Sequence, residues 1–129
     1  MIAGPCSAES EEQIMKTAFA LTGPCKPSFF RAGIWKPRTR PGSFSGVGSK
    51  GLQWMLKARE ATGIRVMVEA ASPRHVEACL KAGIDVLWLG ARTVSNPFSV
   101  QELAESLSGV DIPIMVKNPL NPDIDLWMG

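Results

Sequence analysis

Five short apolar segments recur along the chain, separated by stretches in which the apolar residues have helical spacing. Each segment is a continuous apolar run rather than an alternation of apolar and polar residues, which is typical of strands covered on both faces. We predict strands over residues 2–3, 28–33, 64–68, 85–89 and 112–116. Strands that alternate with helices pair in parallel, so the sequence predicts an α/β fold.

The stretches between the strands predict four helices, over residues 10–21, 50–62, 73–81 and 99–107. A glycine follows closely after each of them, as is common where helices end. These glycines are Gly23, Gly63, Gly83 and Gly109. At the start of the third helix, Ser72 stands at the N-cap position and Pro73 at the first helical position, which are favoured places for these residue types.

The order of the elements allows two architectures. Parallel strands joined by helices either close into a (β/α)₈ barrel or spread into an open doubly wound sheet. No Gly-x-Gly-x-x-Gly motif follows the first predicted strand, which disfavours a dinucleotide-binding sheet. A complete barrel has eight strands in about 250 residues, whereas these 129 residues carry five predicted strands and four predicted helices. We therefore expect residues 1–129 to be the N-terminal part of a single (β/α)₈ barrel domain, with a small open α/β domain as the alternative.

Composition excludes several classes of protein. Apolar residues make up 45% and charged residues 20% of the chain, as in globular rather than disordered proteins. A net charge of +2 argues against a nucleic-acid partner, and the apolar runs are too short to cross a membrane. The first residues lack the pattern of a signal peptide, and three cysteines, an odd number, argue against a disulfide framework. We therefore expect a cytoplasmic protein with no membrane partner.

Charged residues cluster near the carboxyl ends of the predicted strands, within the second strand at Arg31 and just after a strand elsewhere. Five of them are cations, namely Arg31, Lys36, Arg38, Arg92 and Lys117. In a barrel these positions share the face on which the loops that follow the strands build the active site. Because like charges repel unless an anion lies among them, and because Arg and Lys bind phosphate and carboxylate, the pattern predicts a small, highly anionic substrate.

Each of these residues also has a structural interpretation. A single cation at such a position is more often a solvated surface charge, and Cys6 has the size and polarity of a buried core residue. Glu69 ends the third predicted strand, where a structural salt bridge and a role in the site are equally compatible with the sequence. We expect Cys25 and Cys79 to be structural, and His75, in the first turn of a helix, to be exposed or to cap that helix.

Four motifs occur in order along the chain. They are Gly4-Pro5-Cys6-Ser7, Lys36-Pro37-Arg38-Thr39 with Arg31 before it, Gly90-Ala91-Arg92-Thr93, and Val116-Lys117-Asn118-Pro119. Together they resemble the motifs of 3-deoxy-D-arabino-heptulosonate 7-phosphate synthase (DAHP synthase), type I, β-subgroup. The related 3-deoxy-D-manno-octulosonate 8-phosphate synthase shares the Gly-Pro-Cys start but lacks Lys-Pro-Arg-Thr, so the second motif favours the heptulosonate enzyme.

The resemblance implies a (β/α)₈ barrel that condenses phosphoenolpyruvate with erythrose 4-phosphate, the entry step of the shikimate pathway to aromatic amino acids. It implies that phosphoenolpyruvate is held by Arg31, Lys36, Arg92 and Lys117, and that erythrose 4-phosphate is held by Lys36, Pro37, Arg38 and Thr39. Carbon C3 of phosphoenolpyruvate would attack the aldehyde, water would add at C2, and phosphate would leave with cleavage of the C–O bond. Lys36 is the candidate proton donor to the new alkoxide.

The resemblance also implies that Cys6 is a ligand of a divalent metal ion. The family's other ligands (a His, a Glu and an Asp) come from later strands, so we expect the metal site to be incomplete in these residues. We expect a homo-oligomer, and we expect the 129-residue chain by itself to be inactive and to self-associate through strand edges near Ile2 and Ile114. The alternative is a non-catalytic half barrel that binds phosphate and carboxylate.

Overall fold

The computed structural model describes residues 1–38 and 40–129, which form one parallel sheet of five strands. The strands are β1 (Ile2–Ala3), β2 (Phe29–Ala32), β3 (Arg65–Glu69), β4 (Val86–Leu89) and β5 (Ile114–Val116). Each strand pairs in parallel with the next strand in the chain. This order has no reversal, as in a barrel and unlike a doubly wound sheet. The predicted parallel α/β fold, as part of a (β/α)₈ barrel, is confirmed.

Six helices are present in the part of the chain that the structure describes. They are α1 (Glu11–Ala20), α2 (Lys50–Thr62), α3 (Pro73–Ala82), α4 (Ala91–Val94), α5 (Pro97–Ser106) and α6 (Ile124–Met128). Four of them correspond to the predicted helices. Helix α5 begins earlier than predicted because the side chain of Asn96 caps it, accepting hydrogen bonds from the amides of Phe98 and Ser99. Helices α4 and α6 were not predicted, since helices of 4 and 5 residues are too short to show a periodicity.

The two faces of the sheet have separate apolar cores. On the outer face, Phe30, Val66 and Leu87 are buried in one cluster with residues of the surrounding helices, among them Ile14 of α1 and Met55 of α2. On the inner, concave face, a second cluster contains Met67, Val86 and Trp88, with Phe29 packed against it. Burial on both faces explains why the strands are continuous apolar runs.

A polar cluster fixes the sheet at the amino ends of β3 and β4. The Oδ2 atom of Asp85 accepts hydrogen bonds from the amide of Val66 at 2.8 Å and from Nη1 of Arg59 at 3.2 Å. The same Nη1 atom donates to the carbonyl of Gly83 at 2.6 Å. These bonds connect helix α2 to two strands at the end of the sheet opposite the predicted site, so they serve stability and leave the carboxyl ends of the strands available for function.

The last strand leaves apolar side chains in contact with solvent. Met115 and Val116 of β5 are 43% and 47% exposed, and Ile2 of β1, at the other edge of the sheet, is 40% exposed.

Of the helices in the described ranges, none combines the length and the apolar character that crossing a membrane requires.

Candidate functional site

Glu69, the last residue of β3, lies at the centre of the carboxyl ends of the strands. Burial raises the pKa of its carboxyl group, and the nearby positive charges of Lys36, Arg31, Lys117 and Arg92 act in the opposite direction. The structure therefore brings four of the five predicted cations around one partly buried acidic group. The sequence left the role of Glu69 undecided, because its position at the end of a strand fits both a salt bridge and a site role, and the surrounding cations are brought together only by the fold.

A close contact with Gly90 positions the Glu69 carboxylate. Gly90 follows β4, and a Cβ atom at this position would overlap Oε1 of Glu69. A side chain at this position of the Gly90-Ala91-Arg92-Thr93 motif would displace the carboxylate, so the glycine leaves the space that Glu69 occupies. The register of the sheet brings the two together, since Glu69 pairs with Trp88 in the adjacent strand.

Lys36 and Cys6 meet above the carboxyl ends of β1 and β2. The Nζ atom of Lys36 donates hydrogen bonds to the carbonyl oxygen of Cys6 at 2.7 Å and to its Sγ atom at 3.3 Å. This hydrogen bond and the charge of Lys36 lower the pKa of the Cys6 thiol, with a smaller contribution from Arg31, against the opposing effect of burial. Cys6 is exposed, so the predicted site thiol has the features of a reactive cysteine rather than of a core residue.

Arg31 is held under the loop that follows β1. Its Nη1 atom donates to the carbonyl of Pro5 at 3.0 Å, and its guanidinium carbon lies 4.9 Å from the centre of the Trp88 ring. The loop approaches so closely that a Cβ on Gly4 would overlap the carbonyl oxygen of Arg31. Gly4 also has φ +140°, a backbone conformation that L side chains rarely adopt, so glycine is required here for two reasons.

The remaining predicted residues occupy different positions around this centre. Arg92 lies in α4 immediately after β4, and its Nη1 atom is 3.5 Å from the carbonyl of Pro37. Lys117 follows β5, and its amide donates to the carbonyl of Leu89. Arg38 is exposed and donates through Nε to the carbonyl of Phe44, so it does not join the group around Glu69. Thr39 lies outside the described residues.

An aromatic stack connects the loop that follows β2 with the first turn of helix α3. The rings of Trp35 and His75 are 4.0 Å apart and nearly parallel, at 5°. The Nδ1 atom of His75 accepts a hydrogen bond from the amide of Ala71 at 3.2 Å. His75 is therefore half-buried against Trp35, so the expected exposure is wrong, whereas the bond from the Ala71 amide, just before α3, fits the expected capping role. Burial lowers the pKa of the ring. The sequence offered no signal for this contact, since Trp35 lies in the loop after β2 and His75 in the first turn of α3.

Residues 1–38 and 40–129 contain no group of three or more His, Cys, Asp or Glu side chains that could hold a metal ion. Cys6 is a single thiol donor with an ammonium group beside it. His75 is engaged by Trp35 and Ala71, so it does not supply a second donor. The described residues thus do not form a metal site by themselves.

Comparison with known proteins gives this arrangement its context. The model of the DAHP synthetase I family matches residues 1–128. The chain belongs to this family. A crystal structure of phospho-2-dehydro-3-deoxyheptonate aldolase (DAHP synthase) from Thermotoga maritima superimposes with a TM-score of 0.83 and 32% sequence identity, over 98% of this chain and 35% of that one. The match identifies the five strands as part of the family's barrel.

Curated relatives fall under two names. Phospho-2-dehydro-3-deoxyheptonate aldolase of Thermotoga maritima is 38% identical over 96 residues, which cover 74% of this chain and 28% of that protein. 2-Dehydro-3-deoxyphosphooctonate aldolase of Koribacter versatilis is 36% identical over 99 residues, which cover 70% of this chain and 34% of that protein. The matched part of the chain therefore spans about a third of the length of these relatives.

Proposed function

We propose that the intact protein, meaning the complete gene product that contains these residues, is a transferase that condenses phosphoenolpyruvate with erythrose 4-phosphate to DAHP. Membership of the DAHP synthetase I family supports this reaction. The observation that carries the proposal is the convergence of four cations on Glu69 at the carboxyl ends of the strands. We further propose that residues 1–129 belong to one (β/α)₈ barrel domain of that protein.

Phosphoenolpyruvate has the charge that the four cations require. It carries a phosphate and a carboxylate, and we assign their binding to Arg31, Lys36, Arg92 and Lys117. A bound phosphate and carboxylate would offset the repulsion between these side chains, which Glu69 alone offsets only in part. The group thus favours a ligand with two anionic ends over a ligand with one.

We propose that Lys36 acts on both substrates. We assign Lys36, Pro37, Arg38 and Thr39 to erythrose 4-phosphate, and Lys36 to the transfer of a proton to the alkoxide that forms from its aldehyde. In the reaction a C–C bond forms between C3 of phosphoenolpyruvate and the aldehyde carbon, water adds at C2, and the C2–O bond to phosphate breaks. Lys36 is an ammonium donor at the junction of two loops, with Nζ close to Cys6 and with the charge of Glu69 nearby.

We propose that Cys6 is one ligand of a divalent metal ion in the intact protein. Its exposed thiol and lowered pKa suit metal binding, because the thiolate is the form that binds. A metal ion would polarise the aldehyde as a Lewis acid. We expect Cys6→Ala to lower the metal content of the purified intact protein and Cys25→Ala, which changes another exposed cysteine, to leave it unchanged. Equal metal content in both variants would contradict the assignment.

Two further functions are distinguished by the substrate. An octulosonate 8-phosphate synthase would join phosphoenolpyruvate to a five-carbon sugar phosphate, since its product has eight carbons, and the relative from Koribacter versatilis bears a name of that class. A non-catalytic half barrel would bind both anions without turnover. The Lys36-Pro37-Arg38 motif favours the four-carbon substrate. Phosphate release from phosphoenolpyruvate is compared with erythrose 4-phosphate, with an aldopentose 5-phosphate and with no sugar phosphate. Release with the first indicates the heptulosonate reaction, release with the second indicates the octulosonate reaction, and no release with either indicates a non-catalytic half barrel.

Arg92 provides the direct test of the binding assignment. Loss of one charge-assisted contact costs about 1.5–3 kcal/mol, so we expect Arg92→Ala to lower kcat/KM for phosphoenolpyruvate roughly 10- to 150-fold. Arg65→Ala is the matched control, because Arg65 is an exposed arginine at the amino end of β3, where its guanidinium contacts Phe29. An unchanged kcat/KM in Arg92→Ala would exclude this residue from the site.

We also propose that the intact protein is a cytoplasmic homo-oligomer that acts at the entry to the shikimate pathway. The free thiols of Cys6 and Cys25, both exposed, support a reducing compartment. Sedimentation of the intact protein tests the oligomeric state. A growth requirement for aromatic amino acids in a deletion strain tests the pathway.

A further inference from the structure

The indole face of Trp88 lies against the guanidinium group of Arg31, on the concave side of the sheet. We propose that Trp88 is a positioning residue, which holds Arg31 so that its remaining N–H donors meet an anionic group of phosphoenolpyruvate. This inference rests on the proposed function, because it assigns a role in the same site. It concerns a residue that belongs to none of the four motifs.

The sheet register explains how two distant residues meet. Arg31 on β2 pairs with Met67 on β3, and Trp88 on β4 pairs with Glu69 on β3. Strand β3 therefore separates the two side chains, and each extends over it from an adjacent strand. The 4.9 Å distance from the guanidinium carbon to the ring centre is within the range of a cation–π interaction. Trp88 itself is only 7% exposed and packs against Met67, so its ring has little freedom to move away.

The type of contact matters for function. A guanidinium group has five N–H donors, and the bond to the carbonyl of Pro5 uses one of them. A carboxylate partner would fix Arg31 through further N–H donors and would compete with the substrate's anion. The indole face attracts the guanidinium without accepting any of its N–H bonds in the plane, so the planar fork stays available for a bidentate contact. Trp88 can thus restrict Arg31 without reducing its capacity to bind an anion.

The chain offers a matched control in Trp54. This tryptophan is also 7% exposed, and the Nζ atom of Lys50 lies 5.7 Å from its ring centre. It lies on helix α2, in the core between the sheet and the helices, and not on the concave face. Substitutions of Trp54 and Trp88 therefore remove similar buried aromatic surface, while only Trp88 contacts a proposed substrate-binding residue.

The first measurement is a comparison of steady-state constants in the intact protein. We expect Trp88→Leu to raise the KM for phosphoenolpyruvate about tenfold and to leave the KM for erythrose 4-phosphate unchanged, since Arg31 is assigned to the former substrate. Trp88→Phe, which keeps an aromatic face, restores most of the affinity. Trp54→Leu and Trp88→Leu should lower the melting temperature to a similar extent, but Trp54→Leu should leave both KM values unchanged. Equal KM values in wild type and Trp88→Leu would overturn the inference.

A double-mutant comparison tests whether Trp88 acts through Arg31. In an Arg31→Ala background, the further change Trp88→Leu should leave the KM for phosphoenolpyruvate where Arg31→Ala alone has put it. If Trp88→Leu causes the same tenfold rise with and without Arg31, the tryptophan acts independently and the positioning role is wrong.

A spectroscopic measurement separates this inference from the proposed function. We expect Arg31→Met to shift the intrinsic fluorescence of the intact protein when Trp88 is present and to cause no shift in a Trp88→Phe background. The control Arg65→Met, which removes the cation next to Phe29, should cause no shift in either background. A protein that shows this shift but does not turn over phosphoenolpyruvate contradicts the proposed function and leaves the contact with Arg31 standing. A protein that turns over phosphoenolpyruvate but shows no shift contradicts the positioning role alone.

Discussion

The ammonium group of Lys36 donates a hydrogen bond to the Sγ atom of Cys6 across 3.3 Å. The proposed proton donor and the proposed metal ligand therefore form one electrostatic unit, in which the lysine favours the thiolate form of the cysteine. The pair joins the Gly4-Pro5-Cys6-Ser7 and Lys36-Pro37-Arg38 motifs, which are distant in sequence. A change in either residue should be measurable at the other.

Alkylation of Cys6 provides that measurement. Because Lys36 lowers the pKa of the thiol, we expect Cys6 in metal-free protein to react with iodoacetamide with a midpoint below the ordinary value of about 8.5. Lys36→Met should move the midpoint upward and slow the reaction at neutral pH. Cys79, which is buried and has its pKa raised to about 12, should stay unmodified in both proteins. A midpoint that does not respond to Lys36→Met would exclude the hydrogen bond as its cause.

Glu69 should reduce stability while it supports activity. Burial raises the pKa of its carboxyl group above the unfolded value of about 4.3. Between these two pKa values the native state therefore binds more protons than the unfolded state, and stability falls as pH rises through the native pKa. We expect Glu69→Gln to increase the unfolding free energy at pH 7 by no more than about 1 kcal/mol, since water still reaches the group. This gain in unfolding free energy should vanish near pH 4. The kcat/KM of Glu69→Gln should fall at least tenfold, roughly the effect of losing one charged contact. A variant that is less stable than wild type at pH 7 would show that the charged Glu69 carboxylate stabilises the native state.

Gly90 should be intolerant of a single methyl group. A Cβ atom there would overlap the Glu69 carboxylate, so Gly90→Ala must displace that group or the strand end. We expect a loss of activity comparable to that of Glu69→Gln, measured as kcat/KM in the intact protein. Gly23→Ala is the control, because no atom lies within 4 Å of a Cβ at that position. Full activity in Gly90→Ala would show that the carboxylate need not stay in place.

Protonation of His75, whose ring is half-buried against Trp35, should lower stability in acid. Burial lowers the pKa of His75, so below the unfolded value of about 6.5 the unfolded chain takes up a proton that the native ring resists. Stability from this residue is therefore present at pH 7.5 and is lost as pH falls from about 6.5 through the native pKa. We expect melting temperatures at pH 7.5 and 5.5 to differ more in wild type than in His75→Phe, which keeps the ring on Trp35. Equal differences in both proteins would mean that His75 does not titrate in this range.

The strands were predictable because each is a continuous apolar run, and their parallel pairing then placed the residues after them on one face. This is why Arg31, Lys36, Arg92 and Lys117, chosen from the sequence, surround Glu69. Arg38 was chosen by the same rule but is held by Phe44 in the loop, since a position beyond a strand end does not determine where a loop residue lies. The third strand begins and ends one residue later than the predicted 64–68. Ile64 is buried, which made it look like part of the strand, but the pairing with β2 begins only at Arg65.

Contacts between side chains of different structural elements could not be predicted. Arg31 and Trp88 meet across an intervening strand, and Trp35, in a loop, meets His75 in the first turn of α3. Neither pair has a spacing that periodicity or a motif would detect, because both depend on sheet register and side-chain reach. The sequence therefore indicated which residues gather at the site, whereas their orientation follows from the tertiary structure.

We expect the 129-residue chain, expressed by itself, to self-associate and to lack synthase activity. The exposed side chains of Met115 and Val116 lie on a strand that has a partner, β4, on one side, and an open strand edge pairs readily with another chain. Activity should be absent because Cys6 is a single donor and the described residues contain no group of three metal-binding side chains.

A charge at this edge should reduce the association. We expect Val116→Lys to shift the sedimentation profile toward the monomer, since lysine on an edge strand opposes pairing. Val110→Lys is the matched control, because Val110 is an exposed valine that lies outside the strand, and it should leave the profile unchanged. A wild-type chain that sediments as a monomer and releases phosphate from phosphoenolpyruvate in the presence of erythrose 4-phosphate would contradict both parts of the prediction, and it would mean that the groups around Glu69 suffice for catalysis.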